Sequence, residues 1–216
     1  MNKKSLKPVI VSLVFLLIMW LSFLLGMTNK DLFVRLGIFP RKVESLFAIF
    51  TAPFVHGDWE HLFFNTTSFA VLTTMLFYFY YSIADKVFAL SFILTGVLVW
   101  VFARPSYHIG MSGIIYAEFG FLFFAGFLTR DRMQIVASFI TVMFYGSMVW
   151  GVFPGKSGVS WESHLLGFVI GVFCIFLFRK DLFTAKYKFE MEKEVDEYMQ
   201  FDVLEKRKRI QDSSNL

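Results

Sequence analysis

The sequence has little cysteine, and its basic residues are scattered. The one cysteine, Cys174, lies inside an apolar run, so an intramolecular disulfide is excluded and the thiol is expected to be a small apolar filler. The formal net charge is only +4, with Lys and Arg in short loops and at both ends of the chain. Nucleic-acid-binding proteins cluster their basic residues instead, and we therefore expect no nucleic-acid partner.

The N-terminus also lacks the features of a cleavable signal peptide. Basic residues at 3, 4 and 7 precede an apolar stretch from Val9 to Met27. That stretch is longer than the apolar region of a signal peptide, which spans about 7–15 residues, and no Ala-x-Ala-like site follows it. We expect a first membrane span here. Because no organelle-targeting segment precedes it, a bacterial cytoplasmic membrane is the favoured location.

Apolar residues are what the chain has in abundance. Hydrophobic residues make up 56% of the sequence and aromatic residues 20%, and the mean hydropathy is +0.60. Soluble proteins usually stay below about 50% apolar residues. Six segments approach the roughly 20 apolar residues that a membrane-spanning helix needs. They lie at about 8–27, 61–82, 86–104, 111–129, 134–152 and 160–179. The sequence therefore predicts an all-α membrane protein with six spans.

The segments between and beyond the spans predict the organisation of the chain. We expect a cytoplasmic N-terminus at 1–7, a membrane core at 8–180 and a charged cytoplasmic tail at 181–216, which is either an amphipathic helix or a solvated segment. The only long connector, at about 28–60, is rich in aromatic residues and is expected at the membrane interface. The distribution of Lys and Arg favours a cytoplasmic N-terminus, and six spans then place both termini in the cytoplasm.

Polar side chains near one end of three predicted spans form the candidate site. With this topology Ser112, His164 and the pair His61 and Asn65 lie at similar depth near the outer surface. Such residues are costly in a membrane and commonly mark functional sites. Histidine titrates near neutral pH and can take the proton of a serine hydroxyl, so Ser112 and His164 could form a catalytic dyad. His61 and Asn65 share a helix face and could both donate to an oxyanion.

Small residues on two of these spans predict close packing around the site. Glycines flank the serine, and the face of the last span that bears His164 also bears two glycines at four-residue spacing, which lets helices approach closely in lipid. Tyr116 lies one turn after Ser112 and could pack against the imidazole. The glycines are Gly110, Gly113, Gly167 and Gly171.

Three motifs together resemble the rhomboid family of intramembrane serine proteases. They are His56-x4-His61-x3-Asn65, Gly110-x-Ser112-Gly113 followed by Tyr116, and His164-x2-Gly167-x3-Gly171. The resemblance covers roughly residues 8–180 and implies a six-helix rhomboid-like bundle that lies in the lipid bilayer and cleaves transmembrane segments of other membrane proteins. It further implies Ser112 as nucleophile, His164 as general base and acid, His61 and Asn65 at the oxyanion, and Tyr116 stacked on His164. His56 is expected to brace the first loop, and no cofactor or metal is implied.

The sequence departs from the family pattern at two places. Many members have Trp-Arg in the first loop where this chain has Phe47-Ala48, and Glu118 is unexpected inside a span. Glu118 lies about 120° around the helix from Ser112, and we expect it to bond a neighbouring helix or to tune access. His108 is an alternative base, but the glycine face of the last span favours His164.

Other functions fit the sequence less well. A catalytically silent relative that binds membrane proteins and controls their fate is the main alternative, although both Ser112 and His164 are present. A transporter or channel would need polar residues deeper in the bilayer. A zinc protease would need His-Glu-x-x-His, and the stretch HGDWEH has the wrong order and spacing.

Overall fold

The computed structural model describes residues 3–155, 158–183, 195 and 198–201. The described residues between 3 and 178 are predominantly helical, and the only β-type pairing among them is an isolated bridge between Ile38 and His108. The α-helices are α1 Lys3–Gly26, α2 Lys30–Val34, α3 Ala48–Thr51, α4 Trp59–Phe79, α5 Ala84–Phe102, α6 Ser112–Thr129, α7 Arg132–Tyr145 and α8 Trp161–Leu177. Short 3-10 helices lie at Val43–Ser45, Ala52–Phe54 and Gly146–Val152.

Five of the described helical stretches are long and apolar enough to cross a bilayer. They are Val9–Gly26 of α1, all of α4, α5 and α6, and Arg132–Val152, which joins α7 to the following 3-10 helix. The prediction of an integral all-α membrane protein is thus confirmed. The sixth predicted segment forms α8, which is apolar but has only 17 residues.

Helix α6 is the centre of the fold, with 72% of its residues buried. It makes its most extensive contacts with α8 and also packs against α4, α5 and α7. The α6–α8 contact brings backbone against backbone, because a Cβ atom at Gly167 would overlap the carbonyl oxygen of Gly113 and one at Gly171 would overlap that of Ala117. Small residues allow this approach in an apolar environment.

A buried polar bond also joins α6 to α4. Glu118 and Thr73 are both fully buried, and the Thr73 hydroxyl donates to Glu118 Oε1 at 2.7 Å. The Glu118 carboxyl group therefore bonds a neighbouring helix. Along α6, Glu118 lies more than one helical turn after Ser112. A buried polar group without a partner is costly, so this bond stabilises the packing of the two helices.

Removing the Thr73 hydroxyl is expected to destabilise the protein without touching the candidate site. Thr73→Val leaves Glu118 Oε1 without its donor, which should cost about 1–3 kcal/mol of unfolding free energy. Unfolding in mixed micelles measures this change. Thr67→Val is the matched control on the same helix, because Thr67 is exposed and its hydroxyl bonds only carbonyls of its own helix. Equal stability of the two variants would contradict the role of the Thr73–Glu118 bond.

The first loop is anchored without a Trp-Arg pair. Arg41 donates to the carbonyl oxygens of Val101 and Ala103 at 3.0 and 2.8 Å, and the Trp100 indole donates back to the Lys42 carbonyl at 2.9 Å. Ala48 is fully buried in a small core with Ile38, Ile49, Ala52, Val99 and Ala103, while Phe47 is half exposed. The loop is thus fixed to the end of α5. Its position at a membrane interface stays a prediction.

The C-terminal part of the chain forms a unit of its own. Residues 1–178 and 179–216 form two compact units. Most of the predicted tail at 181–216 lies outside the described residues. The domain boundaries at 7 and 180 and the amphipathic character of the tail therefore stay predictions.

Candidate active site

The start of α4 is fixed by an N-cap that orients two of the candidate residues. The Asp58 carboxylate accepts from the backbone N–H of His61 at 2.8 Å, which satisfies one of the unpaired donors of the first turn. With α4 beginning at Trp59, His61 and Asn65 are one turn apart on the same face. Both side chains line the same cavity.

The loop before α6 passes close to these two side chains. Gly110 has φ +97°, and a Cβ atom there would lie 2.5 Å from His61 Nε2 and 3.3 Å from Asn65 Nδ2. Only glycine combines this left-handed backbone with so little space. The Gly110 N–H donates to the Ala52 carbonyl at 2.8 Å, which fixes the loop just before Ser112 opens α6.

The structure brings Ser112 and His164 into direct contact. Ser112 Oγ lies 2.9 Å from His164 Nε2, and His164 Nδ1 lies 2.9 Å from the Gly151 carbonyl oxygen. A carbonyl can only accept, so Nδ1 has the proton of the neutral imidazole. Nε2 is then an acceptor, and the Ser112 hydroxyl donates to it. This is the arrangement in which an imidazole can remove the serine proton.

Tyr116 holds the other side of the imidazole. Its ring stacks on His164 with centroids 4.1 Å apart and an interplanar angle of 8°. The Tyr116 hydroxyl donates to the Met148 carbonyl at 2.9 Å, so the ring is fixed at its far end as well. The ring orientation of His164 is therefore set by one hydrogen bond, one stacking contact and the hydroxyl of Ser112.

Ser112, His164, His61 and Asn65 all line one cavity of about 750 Å³. Asn65 is 5% exposed, and its Nδ2 has no hydrogen-bond partner among the described residues. A buried amide donor without a partner is unusual and costs free energy. Asn65 borders the same cavity as Ser112.

His56 lies next to this cavity and supports it from the loop side. Its ring is buried, contacts the ring of His61 edge to face at 4.9 Å, and bonds the Phe54 carbonyl through Nδ1 at 3.3 Å. Burial, with a smaller contribution from His61, lowers the pKa of His56 to about 3. His56 is thus neutral at physiological pH and bonds a carbonyl of its own loop, and its role in bracing that loop stays a prediction.

Two backbone carbonyls that contribute to the site cannot be recognised from the residue types in the sequence. The carbonyls of Met148 and Gly151, which fix Tyr116 and His164, belong to the 3-10 helix after α7. A Cβ atom at Gly151 would overlap the Tyr116 hydroxyl, so this position requires glycine. The sequence offers only a glycine near the end of an apolar segment as a signal. The alternative base His108 bonds Ser160 and does not contact Ser112.

The described residues offer no obvious metal centre. Within residues 3–155 and 158–183, no group of three His, Cys, Asp or Glu side chains is arranged to hold a metal ion. The two histidines of the stretch HGDWEH, His56 and His61, contact each other edge to face.

An apolar helical bundle with a serine and a histidine in contact between the first turns of α6 and α8 defines an integral membrane protein with a candidate hydrolytic site. Residues 43–181 match the model of the Rhomboid domain. The chain belongs to the rhomboid family, which includes intramembrane serine proteases.

Relatives of known sequence occur in mycobacteria. Uncharacterized proteins of Mycobacterium bovis and Mycobacterium tuberculosis are 33% identical to this chain over 65% of its length and 62% of theirs. An uncharacterized protein of Mycobacterium leprae is 30% identical over 76% of this chain and 69% of its own length. The chain thus spans somewhat less than two thirds of the M. bovis and M. tuberculosis proteins.

Proposed function

We propose that this protein is an intramembrane serine endopeptidase that cleaves transmembrane segments of other membrane proteins. The observation that supports this most is the hydrogen bond from Ser112 Oγ to His164 Nε2, with the imidazole tautomer set by the Gly151 carbonyl. A silent relative that only binds membrane proteins would have no need of this oriented pair.

In the proposed reaction Ser112 Oγ attacks the carbonyl carbon of the scissile peptide bond. His164 Nε2 takes the hydroxyl proton as the new C–O bond forms, and the carbonyl oxygen becomes an oxyanion. Collapse of this intermediate breaks the C–N bond, and the imidazolium gives its proton to the leaving nitrogen. Water then attacks the acyl-enzyme by the same route and restores Ser112.

Two side chains of α4 are proposed to stabilise the oxyanion. Asn65 Nδ2 is a buried donor that has no other partner among the described residues, and the His61 imidazole is its neighbour on the same face. Backbone N–H groups at the start of α6 add further donors. Donors that are already oriented toward the developing charge cost no reorganisation during the reaction.

The proposed topology places this site near the outer surface of the membrane. Helix α8 is the proposed sixth span, since its 17 predominantly apolar residues are at the lower limit of length for crossing a bilayer. With a cytoplasmic N-terminus, the starts of α4, α6 and α8 all face outward. The cavity between them then admits both water and an unwound segment of a substrate helix.

Covalent labelling tests the proposed function most directly. The purified protein in detergent is treated with a fluorophosphonate and, separately, with a model transmembrane substrate. We expect phosphonylation at Ser112 alone and cleavage that the same reagent abolishes. Labelling without cleavage of any tested transmembrane segment would favour the silent alternative, and cleavage that survives full labelling of Ser112 would overturn the mechanism.

Asn65→Ala is expected to slow turnover about a hundredfold or more, because one oxyanion donor is lost. KM should change less than about twofold, because the donor acts on the transition state and not on the bound substrate. Steady-state kinetics with the model substrate separate the two constants. A higher KM with an unchanged kcat would contradict the oxyanion role. Ser68→Ala is the control, since Ser68 lines the same cavity on the same helix.

A further inference from the structure

A second contact between an imidazole and a hydroxyl lies beside the proposed dyad. His108 Nδ1 bonds Ser160 Oγ, and the two residues are 52 positions apart, the same separation as Ser112 and His164. The segments 108–112 and 160–164 are therefore joined by two bonds, one at the first residue and one at the last residue of each segment. His108 precedes Ser112 by four residues, and Ser160 precedes His164 by four.

The direction of the second bond follows from the other partner of His108. His108 Nε2 lies 3.0 Å from the Arg104 carbonyl oxygen, which can only accept, so Nε2 has the proton. Burial lowers the pKa of His108, which keeps the ring neutral. Nδ1 then accepts from the Ser160 hydroxyl, and Ser160 Oγ in turn accepts from Ser163, whose Oγ is 2.6 Å away.

His108 is fixed on its other side by the first loop. Its backbone N–H donates to the Ile38 carbonyl at 2.8 Å and its carbonyl accepts from Ile38 N–H at 2.9 Å. Arg104 strengthens the same junction, since its guanidinium donates to the Val159 carbonyl at 2.7 Å and pairs with Glu162 at 3.5 Å. The start of α8 is thus bonded to the loop that leads into α6.

His108 itself cannot act by touching a substrate. Its side chain is 2% exposed, and it is not among the residues that line the cavity of Ser112. Its side chain reaches the site indirectly, through its bond to Ser160 at the start of α8. The reacting atoms tolerate little displacement, because a shift of about 1 Å can cost about a hundredfold in rate.

We propose that His108 and Ser160 are positioning residues that set the register in which Ser112 meets His164. This inference rests on the proposed function, because it concerns the geometry of that same dyad. The bond holds the beginning of α8 against the loop before α6, so that His164 Nε2 stays within hydrogen-bond distance of Ser112 Oγ.

The test compares four variants of the full-length protein in detergent. His108→Phe keeps an aromatic ring but removes both nitrogens, and His108→Asn restores an acceptor oxygen near the place of Nδ1. Ser160→Ala removes the donor. Ser163→Ala is the matched control, because it removes a hydroxyl bonded to Ser160 within α8 but leaves the bond between the two segments intact.

We expect His108→Phe and Ser160→Ala to lower kcat and the rate of fluorophosphonate labelling about tenfold or more, with KM within about twofold. His108→Asn should recover most of the loss, Ser163→Ala should stay within about twofold of the wild type, and the double variant His108→Phe with Ser160→Ala should be no worse than either single variant. Thermal unfolding of each variant shows that the measurements are made on folded protein.

Three results would overturn the inference. The first is a folded His108→Phe or Ser160→Ala variant with the kcat of the wild type. The second is a variant whose KM rises while its kcat is unchanged. The third is a double variant in which the losses of the two single variants add fully. Failure of the proposed function is a different result, namely a wild-type protein that neither reacts with fluorophosphonate nor cleaves the substrate.

Discussion

Ser112→Ala and His164→Ala are each expected to reduce cleavage of a transmembrane substrate by at least about a thousandfold. Alanine at 112 removes the oxygen that attacks the peptide bond. Alanine at 164 removes His164 Nε2, which lies 2.9 Å from Ser112 Oγ and accepts its proton. The serine hydroxyl that remains is a weak nucleophile at neutral pH. The double variant should be no less active than either single variant, since the two residues act as one unit.

Rates of product formation with purified variants in mixed micelles measure these losses. Ser147→Ala is the matched control, because Ser147 lines the same cavity but no described imidazole bonds its hydroxyl. Binding of the intact substrate should persist in both inactive variants. Substantial cleavage by Ser112→Ala would show that the activity arises from another residue or from a contaminating protease.

The positions of Ser112 and His164 could be predicted because topology alone nearly determines them. In a bundle of spans with short connectors, every second span is expected to begin on the same side of the membrane, and the first turns of α4, α6 and α8 do line one cavity. Polar residues in the first turns of those helices must then converge. Only the glycines indicated that α6 and α8 come close enough for the Ser112 and His164 side chains to touch. At Gly167 and Gly171 the backbones of the two helices are indeed in contact.

The groups that orient the dyad could not be predicted, because they are backbone atoms. The carbonyls of Gly151 and Met148 are placed by a 3-10 helix, and an apolar sequence gives no sign that a helix will tighten in its last turns. Anchoring of the first loop was equally hidden. Arg41 bonds carbonyls at the end of α5, a contact across 60 residues of chain that depends on the tertiary fold.

For Glu118, the sequence predicts that the buried carboxyl group needs a hydrogen-bond partner but not which residue provides it. A carboxyl group within a span signals a partner, since an isolated polar group is expensive there. The partner could be any hydroxyl or amide on a neighbouring helix, and only the packing of α6 on α4 selects Thr73. Length is a similar case, because apolar composition located the last apolar helix but could not reveal that α8 ends at Leu177.

Gly167→Ala is expected to lower activity about a hundredfold while the bundle still folds. The new Cβ would overlap the Gly113 carbonyl, so α8 must move away from α6 at the level of the residue that follows Ser112. Overpacking of this kind costs about 1–3 kcal/mol, which a membrane bundle can tolerate. A displacement of about 1 Å between Ser112 and His164 has a far larger effect on the reaction than on stability.

Labelling by fluorophosphonate and substrate cleavage measure the loss, and thermal unfolding measures the stability. Gly155→Ala is the matched control, because among the described residues beyond its chain neighbours no heavy atom lies within 4 Å of a Cβ at that position. A second substitution that shortens a neighbouring side chain cannot restore activity to Gly167→Ala, because the new Cβ overlaps the backbone carbonyl of Gly113 and not a side chain. Wild-type activity in Gly167→Ala would mean that α8 can shift without moving His164, and the close approach of the two helices would then serve packing alone.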